Sequence, residues 1–80
     1  MTTIRFFAAA RAAVGVDSLT TGAATIGAAL GAIDAVADPP RWTALQERCS
    51  YLVDGVTTRD RATSLEGVEV VDVMPPFAGG

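Results

Sequence analysis

Val68-Glu69-Val70-Val71-Asp72-Val73-Met74, followed by Pro75-Pro76-Phe77-Ala78-Gly79-Gly80, is the stretch on which the fold turns. Its valines run almost without interruption, as in a strand buried on both faces, and such a strand belongs at the centre of a sheet. The prolines then end it, because they cannot donate to a ladder. A matching strand stands at the other end of the chain, where Thr2 to Phe7 is β-branched and aromatic with partial alternation. For first and last strands to lie parallel at the centre, the intervening chain must cross over the sheet, which a helix can do.

That helix is predicted from Thr25 to Ala37. Ile26, Leu30, Ile33 and Ala37 recur at spacings of four, three and four, and Gly27, Gly31, Asp34 and Asp38 share a flank that reads as thin solvated surface. Pro39-Pro40 is expected to stop it. Ala8 to Val14 reads as a short helix or turn with Gly15 at its C-cap, and Val16 to Thr21 as a strand folding back on the first. Arg41 to Arg48 spaces Trp42 and Leu45 for one short amphipathic turn, with Trp42 as a core lid. Tyr51 to Val53, Asp54-Gly55 and Val56 to Thr58 form a hairpin signal, since a type I′ turn needs positive φ at both central positions. Arg59 to Ala62 is a polar connection. The order places one main helix on one face of a mixed sheet, which is an α+β, β-grasp architecture. The domain is expected over 1–74 and a flexible tail over 75–80.

Eighty residues with a net charge of −3 describe one small domain with no room for a deep, fully walled cleft. There is no histidine, no lysine and one cysteine. Ser-His-Asp and Cys-His activation are excluded, as are Schiff-base chemistry and a Walker A loop. One cysteine cannot assemble a zinc or iron–sulfur site, and no acidic calcium loop occurs, so no metal is expected. Cys49 reads as a small buried hydrophobe. Scattered acidic charge argues against nucleic acid, no stretch is long enough to span a membrane, and the cysteine usage predicts a cytoplasmic protein.

The chemistry therefore falls to the tail. Pro75-Pro76 is expected to lift the remaining residues off the domain as a semi-rigid arm reaching on the order of 15–20 Å. Gly79-Gly80 has the narrowest cross-section a peptide allows and presents one group, a terminal carboxylate, to another protein.

These residues resemble the ubiquitin-like sulfur carriers, and within them the MoaD family, the small subunits of molybdopterin synthase. Ile4-Arg5-Phe6-Phe7-Ala8 with Arg11 and Gly15 is similar to that family's opening, and Pro75-Pro76-Phe77-Ala78-Gly79-Gly80 to its ending. Val73 and Met74 depart from it where aromatics are common, and Phe77 where a smaller aliphatic is usual.

The resemblance implies a substrate-like protein that is not an enzyme by itself. Its Gly80 would be adenylated by a ubiquitin-activating-type (MoeB-type) enzyme that consumes ATP. A sulfur donor protein would convert it to a thiocarboxylate, which would then enter the large (MoaE-type) synthase subunit to build the molybdopterin dithiolene. No cofactor would be bound by the chain itself. Interface candidates are Phe77, Met74, Phe7 and Arg11, with a core position on the first strand as the alternative for Phe7. Alternative functions are the same chemistry serving thiamine thiazole or cysteine synthesis, or a non-covalent ubiquitin-like interaction module.

Overall fold

The structure, a computed structural model, describes residues 1–33 and 39–75. The elements are β1 (Thr2–Phe6), α1 (Ala8–Val14), β2 (Ser18–Thr21), α2 (Ile26–Ile33), α3 (Pro39–Gln46), β3 (Ser50–Val53), β4 (Val56–Thr58) and β5 (Val70–Met74). The strands form one sheet in the order β2-β1-β5-β3-β4. β1 and β5 are parallel, with Ile4 opposite Val71 and Phe6 opposite Val73, and the other pairs are antiparallel. The terminal strands thus meet at the centre, and the fold is the expected β-grasp.

Alternation decides which face is covered. Ile4, Phe6, Tyr51, Val71 and Val73 point to the helices and are buried with Ile26, Ala29, Leu30 and Ile33 of α2. Thr2 joins this face and remains satisfied because its hydroxyl donates to the Val68 carbonyl at 2.8 Å. Burial of β5 on both faces is not what the structure shows. Val71 and Val73 are buried, whereas Val70, Asp72 and Met74 are only half-buried. No described helix covers that second face, across which Arg5 grips Asp72 through two bonds of 2.6 and 2.9 Å.

The helices follow local chemistry. α1 ends at Gly15, whose φ of 87° lets its N–H reach the Arg11 carbonyl at 2.8 Å. α2 is opened by Thr25, whose hydroxyl accepts the Ala28 N–H at 3.2 Å. The rest of the expected helix, with Asp34, Ala37 and Asp38, lies outside the described residues. Gly31 stands in open space, as a thin surface should, but Gly27 is not merely tolerated. A Cβ there would lie 3.3 Å from the Arg61 carbonyl, which accepts the Gly27 N–H at 2.9 Å.

Pro39-Pro40, expected to stop the preceding helix, also opens α3, while the stretch between α2 and the pair lies outside the described residues. A first-turn N–H has no helical partner to lose and proline's φ is already helical, so prolines serve well at this position. α3 carries Trp42 fully into the core, where it meets Phe6 edge-to-face at 6.2 Å between ring centroids.

The hairpin forms as read, with φ of 46° at Asp54 and 88° at Gly55. Asp54 does more than turn the chain. Its carboxylate accepts the Glu69 and Val70 N–H groups, and its own N–H donates to the Val70 carbonyl at 2.9 Å. The β3–β4 turn is thereby tied to the start of the central strand.

Candidate functional site

β5 delivers the chain to one end of the sheet, with Met74 opposite Ser50 on one side and Val73 opposite Phe6 on the other. The site is the surface around that exit. Pro75 is buried, so the chain is still packed against the domain at this residue. Pro76, Phe77, Ala78, Gly79 and Gly80 lie outside the described residues.

Phe7 is not a core residue. It follows β1 on the uncovered face, is 38% exposed, and its ring lies 5.8 Å from the Arg5 guanidinium carbon. The parallel register carries it to the level of half-buried Met74, so two of the expected anchors flank the exit. Arg11 projects from α1, with Nη1 3.4 Å from Asp17 Oδ1. Both side chains are largely exposed, so this pair constrains little. An open groove lined by Arg5, Phe7, Ala8, Arg11, Asp17 and Ser18 joins Arg11 to Phe7.

Two features of this region were not read from the sequence. Ala8 sits at φ 49°, a left-handed conformation that costs a non-glycine residue roughly 1–2 kcal/mol. It turns the chain sharply from β1 into α1 immediately after Phe7. No sequence signal marks it, since the usual residues for this conformation are Gly, Asn and Asp. The Arg5–Asp72 pair, by contrast, follows once β1 and β5 are placed in parallel register, because the two residues are then opposite one another. The Asp72 carboxylate, first by its hydrogen bonds and then by its charge, raises the Arg5 guanidinium above its ordinary value.

Cys49 enters β3 buried at 2% exposure, and burial pushes its thiol up to about 11 despite the opposing positive charges of Arg59 and Arg61. At neutral pH it is a packed thiol. Tyr51 beside it is raised as well, first by burial and then by the neighbouring cysteine, and its hydroxyl donates to the Gln46 carbonyl at 3.2 Å. Among the described residues no three His, Cys, Asp or Glu side chains are placed to hold a metal ion, and no helix is long and apolar enough to cross a membrane.

A mixed five-stranded sheet with parallel terminal strands at its centre, helices on one face and a Gly-Gly sequence beyond the central strand defines a ubiquitin-like β-grasp protein. Residues 4–80 match the family described as the ThiS family, and the chain belongs to it, the ubiquitin-like sulfur carriers. Members are small non-catalytic carriers that work with partner enzymes. No curated protein matches the chain.

Proposed function

We propose that this carrier loads sulfur on Gly80 and delivers it in the cytoplasm to the molybdopterin dithiolene, as the small subunit of a molybdopterin synthase. The observation carrying this reading is Pro75-Pro76 placed directly after the strand at the sheet's centre, four residues before the end of the Gly79-Gly80 sequence. A proline pair at that point limits the conformations of the arm, so a thin end can be presented at a set distance from the Phe7–Met74 surface.

The chemistry starts from an ionised carboxylate, a poor electrophile. A ubiquitin-activating-type enzyme joins it to the α-phosphate of ATP, and pyrophosphate leaves. A persulfide sulfur on a donor protein then attacks the acyl carbon and AMP leaves. The bond formed is C–S; cleavage of the persulfide's original S–S bond by a second thiol then frees the Gly80 thiocarboxylate and leaves a disulfide on the donor side. Pro76, Ala78 and Gly79 form the arm, rooted at Pro75, which is packed against the domain, while Phe77, Met74, Phe7 and Arg11 contact the partners. Aromatic residues, methionine and arginine suit that role, being enriched in interfaces. The chain binds no cofactor, and the ATP is consumed on the activating enzyme.

A second destination, thiamine thiazole or cysteine synthesis, uses the same Gly80 chemistry. It is favoured by Val73 and Met74 standing where molybdopterin carriers commonly have aromatics. Incubation with ATP, a sulfur donor and each candidate activating enzyme in turn separates the two. The cognate enzyme exchanges one oxygen of Gly80 for sulfur, and no exchange with any enzyme refutes both. Deleting Gly79 and Gly80 tests the non-covalent interaction module: a carrier loses all loading while folding unchanged, whereas a module keeps its partner.

A further inference from the structure

We infer that Arg48, Arg59 and Arg61 form a basic ridge beside the root of the tail, and that it docks the carrier on an acidic rim around the activating enzyme's channel. This rests on the proposal that the tail enters that enzyme.

The register places the ridge. Ser50 lies opposite Met74, and Tyr51 lies opposite both Val73 and Thr58. Arg48, just before β3, and Arg59, just after β4, therefore fall at the end of the sheet where β5 releases the chain. Two of the guanidiniums converge there. Arg59 Nη2 donates to the Glu47 carbonyl at 3.3 Å and Arg61 Nη2 to the adjacent Gln46 carbonyl at 3.4 Å. These carbonyls lie at the end of α3, where the helix dipole favours positive charge.

The ridge is not neutralised from within. Among the described residues the ion pairs are Arg5 with Asp72 and Arg11 with Asp17, and neither involves the ridge. The intervening carboxylate, Asp60, accepts the Ala62 N–H at 2.9 Å, and among the described residues exposed Glu47 is a second acidic neighbour in sequence. Asp54 and Glu69 gather at the opposite end of β5, so a protein of net charge −3 carries its arginine ridge at the tail end.

Position selects the occupant. Whatever receives the tail faces its root, so a surface complementary to the ridge belongs at the mouth of the receiving channel. An arm extended in polyproline geometry would keep the ridge on the order of 15–20 Å from any ATP engaged by Gly80, too far for the arginines to touch its phosphates. Acidic side chains at the mouth remain as the complement. Charge arranged in this way raises association rates more than lifetimes.

The test is the association rate of the full chain with its adenylating enzyme. It is measured from about 0.01 to about 0.1 M salt, over which the screening length falls from about 30 to about 10 Å. The Arg48→Gln, Arg59→Gln, Arg61→Gln triple variant should associate roughly tenfold more slowly at low salt, lose most of its salt dependence and dissociate at a nearly unchanged rate. Because Arg59 and Arg61 also bond α3, Arg48→Gln alone serves as the variant that leaves those bonds in place, with a smaller effect of the same sign. Asp54→Asn at the far end should leave the rate unchanged. Unaltered association and salt dependence in both the triple and Arg48→Gln variants would overturn the ridge, as would a loss confined to dissociation. ATP–pyrophosphate exchange at saturating wild-type carrier separates the failures: where exchange occurs but the association rate shows no salt dependence, the ridge alone is refuted, whereas no exchange with any adenylating enzyme refutes the carrier reading beneath it.

Discussion

Replacing Asp54 tests how the hairpin holds the central strand in place. In Asp54→Ala the carboxylate that accepts Val70 N–H at 2.9 Å and Glu69 N–H at 3.2 Å is gone. A hydrogen bond contributes about 1 kcal/mol net, and the charged acceptor offsets part of the discount for exposure, so two N–H groups amount to about 2 kcal/mol. Alanine also tolerates φ of 46° less well than aspartate, adding up to about 1 kcal/mol. The sum, about 2–3 kcal/mol, should lower Tm by about 10–20 °C in a domain of this size. Two further variants separate the contributions. Asp54→Gly relieves the turn but removes the clamp and should cost about 2 kcal/mol, whereas Asp54→Asn keeps the turn and one acceptor and should cost about 1 kcal/mol. Thermal and urea unfolding followed by circular dichroism measure all three. If Asp54→Gly is as stable as the parent, the clamp contributes nothing and the reasoning fails. Adenylation well below Tm should be unchanged, because Asp54 lies at the opposite end of β5 from Met74.

Other expectations follow from individual side chains. Gly31→Ala, with open space around its Cβ, should stabilise by about 1 kcal/mol in chemical denaturation, whereas Gly27→Ala should gain less because the Arg61 carbonyl stands 3.3 Å away. Ala8→Gly should be neutral or stabilising by up to about 1 kcal/mol even though it puts glycine at the start of a helix, and Ala8→Val should destabilise clearly more. The Cys49 thiol is raised from 9.0 to about 11, so below pH 9 it is protonated in both folded and unfolded chains and its contribution is fully present. Above that, the unfolded thiol ionises first, and urea midpoints should fall as pH rises towards 11, less so in Cys49→Ala. At pH 7 alkylation of Cys49 should be slow in the native protein and rapid in urea.

Particular elements explain what the sequence could and could not reveal. The central valine strand, the β1 alternation and the Asp54-Gly55 turn are local patterns that also fit the whole sheet, so they could be read directly. That Pro39-Pro40 also begins a helix is not visible locally, because one pair can end a helix or begin the next, and the packing of Trp42 against Phe6 that anchors α3 belongs to the tertiary fold. Burial of β5 on both faces was misread because valine composition does not report whether a second layer covers the sheet. At the site, the exposure of Phe7 depends on where β1 gives way to α1, a turn made by an unmarked alanine in the left-handed region. The Arg5–Asp72 pair spans 67 residues in sequence and becomes visible only through the parallel register. The reading of the tail rests on composition and covalent chemistry, independent of packing, and stays a proposal, because residues 76–80 lie outside the described ones.

The intact mass of the protein purified from its native host tests the central claim most directly. The account predicts a fraction of molecules ending at Gly80 with one oxygen replaced by sulfur, localised to that residue by fragmentation and lost on deletion of Gly79 and Gly80. A chain that never carries sulfur at Gly80, even when its cognate adenylating enzyme, ATP and a sulfur donor are supplied, would contradict it.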